Sequence, residues 1–374
     1  MRLYLMERYR PSQDLAVAGP RLRRYHVRVI PSSSMRQDGS RLAAAAGGGA
    51  PPRLASVAAC LALPLVLLSC APQLHLTVAM DEAFAAARPG LTNELERLRP
   101  AGFTRRNVRV GLDESPAKAF EYVDRRAGAR RTDILIASPF LASTLQGRLG
   151  AIPIIALEWE AQPAPGLSLI MTDPLPAYRA AGRAAGAYIA AIRGKSGGNP
   201  SCGVVYSSSP SRPRAALEAF AAAYEASSGA APLLVRALPP PSSTEGSADA
   251  DAQAAVGELL GSDMRLLFVA AGRATPAAIK AAAAPDIAVG ADILEPQPLP
   301  QLSFMIVSDD AALARAAGKV LERWNRTRRG SVGPVERGDP GGPPVLVPSL
   351  LLEGPAAAHA AAGLRPFSAY LRSD

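Results

Sequence analysis

The chain has 374 residues, 48% of them hydrophobic and 5% aromatic, and its 41 Lys and Arg against 32 Asp and Glu give a formal charge of +9. Residues 1–69 hold ten arginines and no lysine against Glu7, Asp14 and Asp38, a charge of +7 that leaves only +2 for the other 305 residues. A nearly neutral chain of that length, with no interleaved basic and aromatic residues, removes the charge argument for a nucleic-acid partner and is long enough for two lobes with separate cores.

The first informative segment is Leu54–Ser69, 16 residues of mostly Leu, Ala and Val with arginines upstream, closed by Leu67-Leu68-Ser69-Cys70. A membrane-spanning helix needs about 20 apolar residues, so this run is short for an anchor and suits the core of a signal peptide. With its small residue before the cysteine, the stretch resembles the lipobox of bacterial lipoproteins. The resemblance implies cleavage before Cys70 and acylation of its thiol by fatty acid such as palmitate. The mature protein is then expected to be tethered in the cell envelope, facing the periplasm or exterior. Residues 35–69 are read as the signal peptide, with Met35 as the start and Arg36, Arg41 and Arg53 as its basic region. Residues 1–34, rich in Arg, Pro and Ser, are read as an over-extended start.

Beyond Cys70, short apolar runs alternate with Ala-rich amphipathic stretches. Strands are predicted at Leu74–Met80, Asn107–Leu112, Asp133–Ala137, Ile152–Leu157 and Leu167–Thr172, with helices at Leu91–Leu98, Ser115–Arg126 and Leu141–Leu149 between them. Ser115 caps the second of these helices and Pro116 fits its first turn. The alternation then restarts. Helices are predicted at Tyr178–Ile192, Arg214–Ser227, Ala252–Leu260, Pro276–Ala283 and Ala311–Asn325, with strands at Gly203–Ser207, Leu233–Ala237, Leu266–Ala270, Ile287–Gly290 and Ser303–Val307. Pro239–Ser247 and Arg328–Pro344 read as surface connections. A strand at Val345–Leu352 and a helix at Ala356–Leu364 close the chain. Near-continuous apolar strands separated by helices imply parallel sheets covered on both faces. The fold class is therefore α/β, two doubly wound parallel-sheet lobes with a ligand cleft between them. The expected division is 70–173 plus 345–374 for the first lobe and 174–344 for the second.

Several segments carry a family resemblance. Thr132–Pro139 (TDILIASP), Leu169–Ile192, Cys202–Gly229, Met264–Ile293 and Ser303–Trp324 are similar to successive units of the type 1 periplasmic-binding-protein superfamily. That family includes sugar- and purine-nucleoside-binding lipoproteins. The glycine- and aspartate-rich opening signature of the nucleoside binders is absent from the first strand region. The resemblance implies a solute-binding protein of an ABC importer, a monomer that captures a small polar ligand, and a membrane permease as partner. A second reading stays open: a ligand sensor or structural lipoprotein that keeps the two lobes without transport.

Ligands of open α/β sheets bind outside the carboxyl ends of the strands, where strand order switches. Polar residues just past the strands are therefore the candidates: Asp81, Glu82, Ser138, Trp159 and Asp173 in the first lobe, and Ser208, Arg273 and Asp292 in the second. The first-lobe rim is acidic, counting Glu158 and Glu160. Carboxylates that accept paired hydroxyl bonds suit a sugar or ribose, and Trp159 offers a stacking face. In sugar-binding relatives, the resemblance places a hydroxyl-binding aspartate at the position of Asp292.

No enzyme activity, cofactor or metal is expected. The mature chain has two histidines, His75 and His359, and no His/Cys cluster with metal-ligand spacing; its G-x-S-x-G match, Gly194-Lys195-Ser196-Gly197-Gly198, follows a predicted helix and not the strand that a nucleophile elbow needs. Gly194-Lys195-Ser196 has Ile189 where a phosphate loop needs glycine, and it follows a helix. The pairs Asp81/Glu82 and Glu158/Glu160 keep a glycosidase as a remote alternative. Cys202, at the start of a strand, reads as a core thiol.

Overall fold

The computed structural model describes residues 74–111, 116–128, 132–148, 152–196, 198–207, 209, 213–238, 247–282, 284, 286–293, 299–328, 337–358 and 367–371. Cys70, the expected signal peptide and the expected extension lie outside these residues, as does Ser208. The chain from Leu67 to Asp374 is one compact unit, and all four of its hydrophobic cores are built from residues within 74–371.

In chain order the first lobe contains β1 (Leu74–Asp81), α1 (Glu82–Ala87), α2 (Pro89–Arg97), β2 (Phe103–Val110), α3 (Pro116–Gly128), β3 (Ile134–Ala137), α4 (Pro139–Leu145), β4 (Ile154–Leu157) and β5 (Leu167–Asp173). The second lobe follows with α5 (Leu175–Ser196), β6 (Ser201–Tyr206), α6 (Arg214–Ser228), β7 (Leu233–Ala237), α7 (Ser247–Leu260), β8 (Met264–Ala270), α8 (Thr275–Ala281), β9 (Ala288–Asp292) and β10 (Leu302–Val307). The tail adds α9 (Asp310–Arg328), β11 (Val345–Pro348), β12 (Leu350–Glu353), a 3₁₀ turn at Pro355–Ala358 and α10 (Ser368–Leu371).

Two six-stranded sheets result, ordered β11-β5-β4-β3-β1-β2 and β12-β10-β9-β8-β6-β7. All pairings are parallel except β10 with β12. The β-strands β3 (ILIA), β4 (IIAL) and β6 are buried at every residue, as strands covered on both faces must be. In β1 the alternation sorts Leu76, Val78 and Met80 into the core under α2 and α9, and Ala79 into the core under α3 and α4. Edge strand β2 carries Arg105, Arg106 and Arg109, charges that discourage further strand pairing. The second lobe is knit by stacked rings: Phe220, Phe268, Phe304 and Phe367 follow one another at centroid distances of 4.8, 5.9 and 4.9 Å. Phe268 and Phe304 both pair with Gly290 on the strand between them. A Cβ there would lie 1.9 Å from the Phe304 ring, so only glycine leaves room for the two rings to meet.

The structure corrects the expected lobe boundaries. α9 follows the second sheet but places Leu313, Ala317, Val320 and Leu321 on the first, against Leu76, Met80 and Ile155. The reason is coverage: α2 alone does not shield that face of a six-stranded sheet. The predicted strand Val345–Leu352 divides at Ser349, β11 joining the first sheet and β12 the second. Of the predicted terminal helix Ala356–Leu364, residues 356–358 belong to the 3₁₀ turn Pro355–Ala358 and residues 359–364 lie outside the described residues; α10 packs on the second lobe through Tyr370 and Leu371. α1 was not anticipated, and β2 starts earlier than expected because Phe103–Arg106 carry no apolar run.

Candidate functional site

Three crossings join the lobes, and each is very short. Asp173 of β5 is separated from α5 by Pro174 alone, Val307 of β10 from α9 by Ser308 and Asp309, and Pro348 of β11 from β12 by Ser349 alone. β12 pairs with β10 so that Leu350 meets Val307 at the carboxyl end of β10. All three crossings thus run between the carboxyl edges of the two sheets. At about 3.3 Å per residue, the two edges are held within roughly 10 Å of each other along the crossing side. Asp173 ties two crossings together: its Oδ1 accepts from the Leu175 N–H at 3.1 Å and its backbone oxygen from the Ser349 N–H at 2.9 Å. It serves the crossings before it serves any ligand.

At the first sheet's switch in strand order, between β1 and β3, Asp81 and Ser138 come together. The Ser138 hydroxyl donates to Asp81 Oδ2 at 2.6 Å, and Asp81 Oδ1 accepts from the Phe84 N–H at 2.8 Å. Asp81 is thus the N-cap of α1, and Ser138 is fully buried beside it. Glu82, the next residue, is exposed in the first turn of α1, where the helix dipole favours a carboxylate. Trp159 is half-buried and packs against the core under α3 and α4, so part of its ring is committed to the lobe.

In the second lobe, the Tyr178 hydroxyl donates to Asp292 Oδ2 at 2.6 Å. Tyr178 lies in the first turn of α5, and its ring meets Phe268 edge-on at 5.3 Å. Asp292 ends β9, half-buried, with its carboxylate oriented by this bond. Arg273 is exposed in the 3₁₀ turn Gly272–Ala274 that follows β8 at the second switch in strand order. Sequence reasoning places Asp292 and Arg273 at the carboxyl edge of the second sheet, and the structure adds Tyr178 to them.

No family model matches this chain, and no curated protein does. Solved structures do. A transcriptional activator of the comK gene from Bacillus halodurans superposes with a TM-score of 0.53 at 12% identity, over 80% of this chain and 98% of the other. A carbohydrate transporter solute-binding protein from Chloroflexus aurantiacus in complex with D-glucose gives 0.52 at 14%, over 76% and 93%. A periplasmic ribose ABC transporter protein from Conexibacter woesei gives 0.51 at 17%, over 78% and 97%. The fold is that of the type 1 periplasmic binding proteins.

Within this periplasmic-binding-protein fold, sequence reasoning missed a buried ion cluster at the first-lobe carboxyl edge. Arg88, at the junction of α1 and α2, is 3% exposed and pairs with Asp310 at the start of α9 and with Glu158 at 3.6 Å. Glu158 follows β4 with φ +50°, a left-handed conformation that is strained for a non-glycine residue. Its carboxylate accepts from the Thr172 hydroxyl and, at 3.2 Å, from the Thr172 N–H. The cluster therefore joins α1, β4, β5 and the second crossing, and it neutralises part of the acidic rim. One signal was available: Arg88 is a cation set just after the rim acids Asp81 and Glu82. A concavity lined by Arg315, Lys319, Leu346 and Pro348 sits between α9 and β11, on the flank of the lobe and not on the switch-point residues. Among the described residues, no group of three His, Cys, Asp or Glu is placed to hold a metal.

Proposed function

We propose that this protein is a lipid-anchored, extracytoplasmic solute-binding protein that captures a sugar or nucleoside and delivers it to an ABC permease. The observation that carries the reading is the set of three one- or two-residue crossings. They hold the two carboxyl edges together, one bearing Asp81–Ser138 with Glu82, the other Tyr178–Asp292 with Arg273. A ligand that bonds to both edges favours the closed arrangement of the lobes. Asp292, oriented by Tyr178, meets ligand hydroxyls with its carboxylate, Trp159 offers the exposed part of its ring, and Asp81 and Asp173 hold the frame. Acylated Cys70 tethers the unit to the membrane beside the permease.

Thermal-shift screening of residues 71–374 against sugars, nucleosides, amino acids and polyamines tests this. A cognate ligand at a hundredfold excess over Kd adds about 2.7 kcal/mol, and Asp292→Ala is expected to abolish that shift. No stabilisation by any class contradicts the proposal. Intact-mass analysis of the membrane form is expected to show a fatty-acylated Cys70 terminus; a free Cys70 thiol removes the anchor from the reading.

A further inference from the structure

The first lobe is electrically polarised along its strands. Among the described residues, its carboxyl edge carries Asp81, Glu82, Glu158, Glu160, Asp309 and Asp310 against Arg88 and, in the first turn of α3, Lys118. Its amino edge is basic. Arg97 and Arg99 lie where α2 turns into β2, Arg148 in the connection to β4, Arg326 in the last turn of α9 and Arg337 in the connection to β11, and all five are exposed. The acids at this end are largely engaged: Glu94 with Arg97, Glu96 with Arg109 and Asp339 with Arg323, while Asp133 accepts from the His75 N–H at 2.8 Å. Glu322 remains exposed there. Arg105, which donates to the final carbonyls of α2, has its pKa lowered by burial first and by neighbouring Arg99 second. Phe103 and Trp324, half-buried rings 6.3 Å apart, bring the end of α9 beside the start of β2.

The same end holds the chain entry. The Leu74 N–H donates to Gly102 O at 3.0 Å, so the polypeptide enters β1 beside the Arg97–Arg99 connection. Only Ala71, Pro72 and Gln73 separate Leu74 from Cys70, a reach of about 10 Å. We propose that this basic amino edge seats on anionic phospholipid headgroups, so that the first lobe stands on the membrane with its acidic carboxyl edge turned away. Exposed arginines are attracted to an anionic bilayer within a Debye length of its surface. Interfacial aromatics such as Trp324 suit the headgroup zone. The inference rests on the proposed tether at Cys70 for its orientation.

Cosedimentation of residues 71–374, which carry no acyl group, reads the patch independently of the anchor. Binding is expected to vesicles of phosphatidylcholine plus phosphatidylglycerol and not to phosphatidylcholine alone, and to weaken as salt rises. Arg99→Gln, Arg148→Gln and Arg337→Gln are each expected to lower partitioning roughly fivefold, while Arg193→Gln and Lys195→Gln in the second lobe leave it unchanged. Equal binding to both vesicle types, or equal loss from the second-lobe variants, overturns the proposal. So does a preference for heparin or nucleic acid over the anionic vesicles, which marks a general polyanion surface. Failure of acylation at Cys70 appears only in the intact mass and leaves the vesicle result to stand or fall separately.

Discussion

Arg88 is the residue whose loss tests the architecture most locally. Removing one member of a buried ion cluster leaves the other charges uncompensated, at about 3–5 kcal/mol. Arg88→Ala is expected to lower stability by that amount in urea titration, with Glu158 and Asp310 left facing each other. An effect below about 1 kcal/mol means that the pair is solvated, as surface pairs are. Cys202 makes a second test at this scale. Burial pushes its thiol well above the ordinary range, so the unfolded chain releases that proton first. The stability it contributes is full below the unfolded thiol pKa of about 8.5 and falls as pH rises beyond it. Cys202→Ala is expected to remove that share of the alkaline decline, and native Cys202 is expected to resist alkylation until the chain unfolds. Burial raises Tyr188 as well, with Tyr370 as the next cause, so part of the decline persists in the variant.

Between elements, α5 and α6 owe their close approach to two small positions. A Cβ on Gly182 would lie 2.3 Å from the Phe220 carbonyl oxygen, and one on Gly186 would lie 2.6 Å from that of Tyr224. Both neighbours are backbone, so neither yields without moving a helix. Gly182→Ala is expected to cost about 1–3 kcal/mol or more, whereas Gly257→Ala, exposed in α7 with open space at its Cβ, gains about 0.5–1 kcal/mol from helix propensity. Paired melting curves check both signs. Elements of this kind were legible in the sequence wherever apolar period or continuity was strong, as in β3, β4, β6 and α5. α1 was not legible because none of its six residues is fully buried; the Asp81 cap and the partly buried Phe84 and Ala85 hold it on the first-lobe core. The break at Ser349 was hidden because Val345–Leu352 reads as one apolar run, and only pairing shows that its halves belong to different sheets.

Across the molecule, the two doubly wound lobes followed from the repeated alternation of strands and helices, and Asp81, Ser138 and Asp292 lie at the carboxyl ends of their strands. Partnerships were not legible. Nothing in local pattern ties Tyr178 to Asp292 across 114 positions, or Arg88 to Asp310 across 222. The assignment of α9 to the first lobe was hidden for the same reason, since it depends on which sheet face lacks cover. The proposed function turns on the two carboxyl edges closing around a ligand. The direct measurement is the distance between spin labels on Glu82→Cys and Arg273→Cys, both exposed on opposite edges, in residues 71–374, where Cys202 is buried. Addition of a ligand found by thermal shift is expected to shorten that distance and narrow its distribution, with no change in the Asp292→Ala background. A ligand that stabilises the protein while the distance stays as it was contradicts the account.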